Sequence, residues 1–383
     1  MRILVDYRPA LRERTGVGEY IHQLVRAYTE LGGDEVAVLT SSWKDRPPPG
    51  LASELHARVI DRRVPVRVLN YAWHRLEWPP VEALSGPFDV VHAAHPLLIP
   101  ARRAAQIITI HDLFFLSDPE RTSAEIRRDY VPLAPDHARR ADAVVTSTQH
   151  GKRLVIDRLG VPAERIYVCP PGAPVWDRLG REPGQPSGRD IIFIGTLEPR
   201  KNIGALLDAY EALLRRRPGL PRLVMAGRAT EDAAGWLQRI GAPPLAGHVT
   251  HLGYVPQNER EQFYARARLL VLPSLDEGFG LTALEAMSAG VPVVVSNRGS
   301  LPEVVGNAGT LVEPDDVQGL ASAIERVAVD DRVALDHARA GLARAREFTW
   351  ERAATALRRA YADALARRQA REGGAARAQC RLL

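Results

Sequence analysis

The clearest indication of the fold is the sequence of residues 273–292, PSLDEGFGLTALEAMSAGVP. A strand is predicted to end at Pro273, a turn with two glycines follows, and a helix is predicted to begin near Leu281. The first backbone N–H groups of a helix have no acceptor inside the helix, and the helix dipole favours an anion at that end. We therefore expect the amides of Phe279–Thr282 to bind an anionic group, and a diphosphate fits that position.

Two glutamates flank this predicted anion site. Glu277 lies just before the turn, and Glu285 lies one turn inside the helix. Carboxylates accept strong hydrogen bonds from diols, so one glutamate can hold sugar hydroxyls and the other ribose hydroxyls. The alternative is a capped helix with two solvated glutamates. The turn around the pair favours the binding site.

Outward from this stretch, short runs rich in Val and Ile alternate with segments of helical period. This alternation predicts an α/β protein with two doubly wound parallel sheets. In the first half the predicted strands are Arg2–Asp6, Glu35–Thr40, Phe88–His92, Ile107–His111, Ala143–Ser147 and Ile166–Cys169. In the second half they are Ile191–Gly195, Arg222–Gly227, Val249–Leu252, Arg268–Leu272, Pro292–Ser296 and the candidate edge strand Gly309–Val312.

The predicted domain limits follow from one linker. Residues 177–189 hold three glycines and two prolines, so they are expected to separate a first domain, 1–176, from a second, 190–348. A helix is predicted at 349–368, followed by a disordered tail at 369–383. Two such sheets are expected to face a cleft at the carboxyl ends of their strands, where open α/β folds bind ligands.

Composition limits the classes of partner. The 383 residues carry 51 basic and 46 acidic side chains, a mild surplus of +5. A solvated charged surface explains it, and attraction to phosphorylated ligands or an anionic membrane is the alternative. No nucleic-acid module pattern occurs. The two cysteines suit a reducing compartment, and the sequence contains neither a signal peptide nor a membrane span, so we predict a cytoplasmic location.

A second constellation is residues 195–202, GTLEPRKN, directly after a predicted strand. Arg200 and Lys201 are adjacent cations on a turn that opens the predicted helix Gly204–Arg216. Such a pair can neutralise a diphosphate and stabilise it as a leaving group. Adjacent surface cations without a ligand are the alternative, and the position at a strand end opposite an anion-binding helix favours the functional interpretation.

Residues 273–292 resemble the signature of family 4 glycosyltransferases, the group 1 enzymes of the GT-B fold, whose E-x7-E motif contacts a nucleotide sugar. Residues 296–309, SNRGSLPEVVGNAG, are also similar to that family. The resemblance implies two Rossmann-like domains, a nucleoside-diphosphate sugar as donor, no cofactor, and transfer with retention of configuration. It also implies that Glu277 holds donor-sugar hydroxyls and that Glu285 holds the ribose.

The resemblance extends to further positions. Many family members carry arginine where this chain has Thr196, so Arg200 is a candidate for that contact, and the division of roles between Arg200 and Lys201 stays open. The positions of Arg228 and Tyr254 border the nucleotide base and phosphates in the family, and packing turns are the alternative. The candidate donor-binding residues are Gly16, Gly18, Thr196, Gly227, Arg228, Tyr254, Val255, Gly278, Phe279, Gly280, Leu281, Thr282 and Glu285; the catalytic candidates are His111, Arg200, Lys201 and Glu277.

The first half supplies three of these candidates. Residues 15–20, TGVGEY, precede a predicted helix, and Gly16 and Gly18 are expected to form a loop lining the donor or acceptor side. A plain helix-start turn is the alternative. His111 lies at a strand end and, by similarity to a His-Asp pattern of the family, is expected to approach the donor sugar; Asp112 is a weaker candidate.

Two further features of the sequence concern metal and membrane contacts. His92 and His95 lie at another strand end, but no cysteine or carboxylate completes a site and no Asp-x-Asp occurs, so no metal is expected. Residues 58–80 mix basic and aromatic side chains, which suits a lipid headgroup interface; a helix that lays its arginines over the core is the alternative. Residues 348–352, FTWER, resemble the last helix of the family, which crosses back onto the first domain and would place Trp350 at the domain junction.

The predicted function is therefore transfer of a hexosyl group to a glycan, lipid-linked or small-molecule acceptor, in polysaccharide or glycoconjugate synthesis. Residues 195–202 and 296–309 look most like bacterial mannosyl- or rhamnosyl-type members, which favours a mannosyl type. The alternatives are another GT-B sugar-nucleotide enzyme, such as an epimerase or phosphorylase, and a non-catalytic nucleotide-sugar-binding protein. An NAD-dependent oxidoreductase is disfavoured because no G-x-G-x-x-G opens either sheet.

Overall fold

The computed structural model describes residues 1–11, 14, 16–122, 124–176 and 189–380, with side chains to residue 373. The chain divides into two compact units. Unit 1 comprises Met1–Gly172 and the residues from Thr349 onward, and unit 2 comprises Ala173–Phe348. Of the predicted linker at 177–189, all but Arg189 lies outside the described residues.

Unit 1 contains a seven-stranded parallel sheet in the order β3-β2-β1-β4-β5-β6-β7. Its strands are β1 Arg2–Asp6, β2 Glu35–Thr40, β3 Arg58–Asp61, β4 Val90–Ala93, β5 Ala105–Thr109, β6 Ala143–Thr146 and β7 Ile166–Val168. Its helices before unit 2 are α1 Gly16–Glu30, α2 Leu51–Leu55, α3 Val66–Arg75, α4 Val81–Ser85, α5 Phe114–Ser117, α6 Ala124–Arg140 and α7 Gln149–Leu159.

Alternate residues of the sheet fill two cores, one on each face. Ile3 and Val5 pack with residues of α1 on one face, whereas Leu4 packs with Leu69 and Trp73 of α3 on the other. Burial on both faces explains the continuous Val- and Ile-rich runs of the sequence. The strand β3 was not predicted, because it is a four-residue edge strand in which only Ile60 is buried. Residues 58–61 are therefore part of the sheet and not of a surface segment.

Unit 2 contains a six-stranded parallel sheet in the order β10-β9-β8-β11-β12-β13. Its strands are β8 Asp190–Ile194, β9 Arg222–Ala226, β10 Val249–His251, β11 Ala267–Leu272, β12 Val293–Ser296 and β13 Thr310–Val312. Its helices are α8 Ile203–Arg216, α9 Ala234–Ile240, α10 Gln257–Ala265, α11 Leu281–Ser288, α12 Leu301–Val305, α13 Val317–Val329 and α14 Asp331–Ala345. The chain runs outward from β8 to β10 and then returns to β11, so the strand order reverses between β8 and β11. Ligands bind at such a reversal, beyond the carboxyl ends of the strands.

The last helix, α15, spans Trp350–Cys380 and belongs to unit 1. Leu357 and Tyr361 are buried in the same core as α1. The helix is longer than the sequence predicts, because it continues past Arg368 to Cys380 where a disordered tail was expected. Residues 366–380 are mostly Ala, Arg and Gln, which are strong helix formers, and Arg371 pairs with the buried carboxylate of Asp142 at 2.8 Å.

Candidate functional site

The loops that follow β8 and β11 are joined by two hydrogen bonds. The amide of Leu275 donates to the carbonyl of Arg200 at 2.8 Å, and Nη1 of Arg200 donates to the carbonyl of Asp276 at 3.1 Å. Each loop leaves the sheet at the point where the strand order reverses. The topology therefore brings residues 195–202 and residues 273–280 to one place.

A buried ion pair joins the same two loops. Lys201 Nζ donates to Oε1 of Glu277 at 2.5 Å, and Arg200 Nη1 lies 3.5 Å from Oε2 of Glu277. The hydroxyl of Ser274 donates to the same Oε1 at 2.7 Å. Burial raises the pKa of Glu277, but the charges of Lys201 and Arg200 outweigh burial, and the net pKa is below its ordinary value. Glu277 is therefore an ionised acceptor in a buried position.

The start of α11 lies next to this ion pair along the chain. The helix begins at Leu281, as the sequence predicts, after Gly280 in the left-handed conformation (φ 91°). The hydroxyl of Ser300 donates to the carbonyl of Gly278 at 2.9 Å and so holds the turn. Among the described residues, the amides of Phe279–Thr282 donate to no protein acceptor. This helix start therefore has the amide donors that an anion site requires.

Glu285 is held by the neighbouring helix α10. Its side chain is 9% exposed, and its carboxylate accepts from Nη1 of Arg260 at 2.8 Å and from the hydroxyl of Tyr264 at 2.7 Å. Arg260 and Tyr264 are four residues apart, so they lie on the same face of α10. The structure thus places Glu285 in a hydrogen-bonded position inside unit 2.

The strand ends of β9 and β10 carry the next two candidates. The guanidinium of Arg228 lies 5.4 Å from the centre of the Tyr254 ring, and Arg228 is exposed. Thr196 is exposed after β8, and Val255 is buried. Gly227 has φ 142°, and a Cβ on it would lie 1.8 Å from the carbonyl oxygen of Gly195, so only glycine fits there. These residues border the ends of β8, β9 and β10.

Gly16 and Gly18 lie in the first turn of α1 rather than in the predicted loop, and their contact with a ligand stays a prediction. Gly16 and Gly18 are the first and third residues of α1, and Thr15 lies outside the described residues. Glycine at position 18 has a packing reason, because a Cβ there would lie 3.0 Å from the carbonyl oxygen of Pro9. The two glycines therefore belong to a helix that approaches the backbone of residues 8–10.

His111 lies two residues beyond the end of β5 rather than in the strand. Burial lowers its pKa to about 4, so the ring is neutral at neutral pH. Its ring meets that of Tyr20 edge to face at 5.2 Å, and within the described part of the chain its Nε2 is buried without a hydrogen-bond partner. Asp112 Oδ1 accepts from the amide of Phe114 at 3.1 Å, which is a turn contact.

The other two histidines of the sheet ends make internal hydrogen bonds. The ring nitrogens of His92 bond to the hydroxyls of Tyr361 at 2.8 Å and Thr109 at 2.7 Å. His95 Nε2 lies 3.2 Å from the carboxylate of Asp6, and its Nδ1 accepts from the amide of Leu97 at 3.2 Å. Both rings are thus committed to contacts within unit 1.

Two family models match most of the chain. The model described as "Glycosyl transferase 4-like domain" matches residues 15–172, and "Glycosyl transferases group 1" matches residues 188–330. The O-antigen chain mannosyltransferase B of Escherichia coli is 32% identical over 94% of this chain and 99% of its own length. This chain belongs to the group 1 glycosyltransferases. The predicted family is confirmed.

Other relatives of this glycosyltransferase are named for different reactions. The D-inositol 3-phosphate glycosyltransferase of Acidothermus cellulolyticus is 28% identical over 94% of this chain and 88% of its own. A glycogen synthase of Mycobacterium tuberculosis is 32% identical over 71% of this chain and 68% of its own. The family therefore fixes the class of enzyme, glycosyl transfer, and not the substrates.

Solved structures show the same fold. The sucrose-phosphate synthase of Thermosynechococcus elongatus matches with a TM-score of 0.72 at 21% identity, covering 96% of this chain and 99% of its own. WaaG, a glycosyltransferase involved in lipopolysaccharide biosynthesis, matches with a TM-score of 0.68 at 17% identity, covering 92% and 98%. The predicted GT-B fold with two Rossmann-like domains is confirmed.

Two groups of residues in this glycosyltransferase were missed by sequence reasoning. Arg260 and Tyr264 lie on a short helix without an amphipathic pattern, and no motif links them to Glu285. Asp6 and Arg8 form a buried ion pair at 2.8 Å beside His95. The charged residue Asp6 at the end of an otherwise apolar strand was the available signal for this second group.

Among the described residues, no helix combines the length and apolarity that crossing a membrane requires.

Proposed function

We propose that this glycosyltransferase moves a hexosyl group, mannosyl in type, from a nucleoside-diphosphate sugar to a glycan, lipid-linked or small-molecule acceptor in polysaccharide or glycoconjugate synthesis. The observation that carries the proposal is the buried Lys201–Glu277 ion pair, with Arg200 beside it, at the switch point of unit 2. The name of the Escherichia coli relative, an O-antigen chain mannosyltransferase, supports the mannosyl type and the polysaccharide context. Structures of HepE from Anabaena with UDP-glucose or with UDP and glucose support the donor class.

The donor diphosphate is bound by positive charge and by amides. Arg200 and Lys201 supply the charge, and the amides of Phe279–Thr282 supply hydrogen bonds at the helix start. These groups stabilise the negative charge that develops on the diphosphate as it leaves. Because side chains and amides supply this stabilisation, the reaction is proposed to need neither a metal ion nor a cofactor.

The sugar and nucleotide are held by acceptor groups. Glu277 is ionised and accepts from donor-sugar hydroxyls, and Glu285 accepts from ribose hydroxyls. Arg228, Tyr254 and Val255 border the base. His111 stays a predicted donor-sugar contact, and its ring is neutral at neutral pH, since burial lowers its pKa to about 4.

Transfer proceeds with retention of configuration. The acceptor hydroxyl attacks the anomeric carbon on the face from which the diphosphate leaves, so a new carbon–oxygen bond forms as the bond to the phosphate oxygen breaks. The hydroxyl proton passes to the departing phosphate oxygen. No protein nucleophile takes part in this scheme.

We also propose a cytoplasmic location with contact at the inner membrane face. The support is the exposed face of α3 and the residues after it, where Tyr71 is 64% and Trp78 63% exposed. Arg63 and Arg67 are exposed in the same segment. Aromatic and basic side chains together suit a lipid headgroup region.

The decisive experiment removes the ion pair as a unit. The double variant Lys201→Met with Glu277→Gln removes both charges, so it leaves no unpaired buried charge to unfold unit 2. With UDP-, GDP- and dTDP-sugars and a glycan acceptor, we expect kcat/KM to fall at least about 10³-fold while thermal stability stays near that of the wild type. Product NMR is expected to show the donor's anomeric configuration, with and without EDTA.

The matched control is Lys44→Met with Glu35→Gln, two exposed side chains outside the site. It is expected to keep wild-type rates. A folded Lys201→Met, Glu277→Gln protein that turns over at a near-normal rate would refute the proposed site. Inverted product or loss of activity in EDTA would refute the proposed stereochemistry or the proposed independence of metal.

A further inference from the structure

The helices α10 and α11 are joined through the carboxylate of Glu285. Arg260 Nη1 donates to Oε1 at 2.8 Å, and the Tyr264 hydroxyl donates to Oε2 at 2.7 Å. Each carboxylate oxygen therefore has its own donor, and the two donors lie one turn apart on α10. Two donors on two oxygens fix both the position and the rotation of a carboxylate, whereas one donor leaves rotation free.

The contacts are built from buried groups. The side chain of Arg260 is 12% exposed, that of Glu285 is 9% exposed, and Tyr264 is fully buried. Burial raises the pKa of Tyr264 well above its ordinary value, and the charge of Glu285 raises it further. The phenol therefore stays protonated and remains a donor throughout the accessible pH range.

Trp176 supports the same arrangement from a third direction. Its Nε1 donates to the hydroxyl of Ser288 at 2.8 Å, and its ring lies 5.4 Å from that of Tyr264. The hydroxyl of Ser288 in turn donates to the carbonyl of Glu285 at 2.8 Å. Both the backbone and the side chain of Glu285 are thus held in place.

We propose that Arg260 and Tyr264 are positioning residues that orient Glu285 toward ribose hydroxyls and so set the preference of the enzyme for ribonucleotides over 2′-deoxyribonucleotides. The inference rests on the proposed function, because it takes Glu285 as the ribose contact. A carboxylate held in one orientation distinguishes two hydroxyls from one, because a 2′-deoxyribose leaves an oriented acceptor of the site without its donor.

The test measures the ratio of the Kd of a 2′-deoxyribonucleotide to the Kd of the matching ribonucleotide. Calorimetry gives the Kd of UDP and 2′-deoxy-UDP, and of GDP and 2′-deoxy-GDP, for the wild type and for Tyr264→Phe, Arg260→Lys and Glu285→Gln. With the base that binds more tightly, the wild type is expected to favour the ribonucleotide at least about tenfold. Glu285→Gln is expected to bring the ratio close to one. Tyr264→Phe and Arg260→Lys should each lower it about threefold or more and raise the donor KM with little change in kcat.

The matched control is Arg266→Lys, since the Arg266 side chain is 72% exposed just after the same helix. Its ratio is expected to equal that of the wild type. If Tyr264→Phe and Arg260→Lys lower the melting temperature but leave the ratio unchanged, their role is structural and the inference is overturned. A wild type that binds UDP and 2′-deoxy-UDP, or GDP and 2′-deoxy-GDP, equally well also overturns it. Failure of the wild type to bind UDP, GDP or dTDP at all would instead contradict the proposed function, whereas tighter binding of dTDP, which lacks the 2′-hydroxyl, than of UDP and GDP would overturn the inference.

Discussion

Glu277 is buried and yet ionised, because the cations of Arg200 and Lys201 lie beside it. The arrangement brings opposite charges together before any ligand binds. In the proposed reaction the same cations face a diphosphate, so they stabilise the negative charges of both the diphosphate and Glu277. The pair therefore makes the donor site rigid at the residue level, which lowers the cost of ordering it on binding.

Gly227 gives a stability prediction at the same scale. Gly227→Ala is expected to destabilise unit 2 by about 3 kcal/mol or more, because φ is 142° and the new Cβ would lie 1.8 Å from the carbonyl oxygen of Gly195. Urea unfolding of the purified protein measures the change.

Gly219→Ala is the matched control, because a Cβ at this exposed position meets no atom within 4 Å. Its free energy of unfolding is expected to stay within about 0.5 kcal/mol of the wild type. Equal stability of the two variants would contradict the backbone packing described between β8 and β9.

Single residues also show where sequence reasoning succeeds and fails. Arg200, Lys201 and Glu277 could be placed together, because each follows a strand and parallel strands end at one edge of the sheet. Arg260 and Tyr264 could not, since their contact with Glu285 joins two helices and depends on how the helices pack. For the same reason the burial of His111, which lowers its pKa, could not be predicted from a lone histidine in the sequence.

At the scale of elements, buried strands were predictable and marginal elements were not. Strands β1 and β2 have the predicted bounds, because Val- and Ile-rich runs are continuous when both faces are covered. The edge strand β3 has one buried residue and no such run. The predicted end of the last helix was Arg368, whereas α15 extends to Cys380 and Arg371 pairs with Asp142, a contact between distant residues that the sequence does not show.

The exposed face of α3 carries the membrane prediction. The double variant Tyr71→Ser with Trp78→Ser is expected to weaken binding to vesicles of phosphatidylcholine and phosphatidylglycerol about tenfold or more, since two aromatic side chains no longer enter the headgroup region. Flotation or co-sedimentation at low salt measures the binding.

Trp43→Ser supplies the comparison, because Trp43 is 74% exposed and lies outside residues 58–80. It is expected to bind vesicles as the wild type does. Wild-type protein that stays in solution with these vesicles, or equal binding by the double variant, would remove the membrane contact from the proposal.

At the scale of the whole molecule, acid is expected to act on unit 1 through its buried histidines. Burial lowers the pKa of His92 and of His74 to about 3. The unfolded chain takes up these protons near pH 6.5, and the folded chain does so only near pH 3, so stability is lost as the pH falls between these values. Each histidine contributes about 1.4 kcal/mol per pH unit to the loss.

Hydrogen exchange read separately for the two units checks this prediction between pH 7.5 and pH 4.5. Protection in unit 1 is expected to fall with decreasing pH, and His92→Gln should make the fall shallower by about 1.4 kcal/mol per pH unit. Carboxylate titration, including that of Asp6, lies mainly below this range. A slope in unit 1 that is unchanged in His92→Gln would contradict the assignment.

The position of α15 has a consequence for how the protein is made. Unit 2 is one continuous stretch, residues 173–348, whereas the core of unit 1 includes Leu357 and Tyr361, which follow it along the chain. On the ribosome, unit 2 can therefore close while the face of the first sheet that carries Ile3 and Val5 is still uncovered. The nascent chain must keep that apolar face from aggregating until α15 emerges, and this interval is when we expect a chaperone to be needed most.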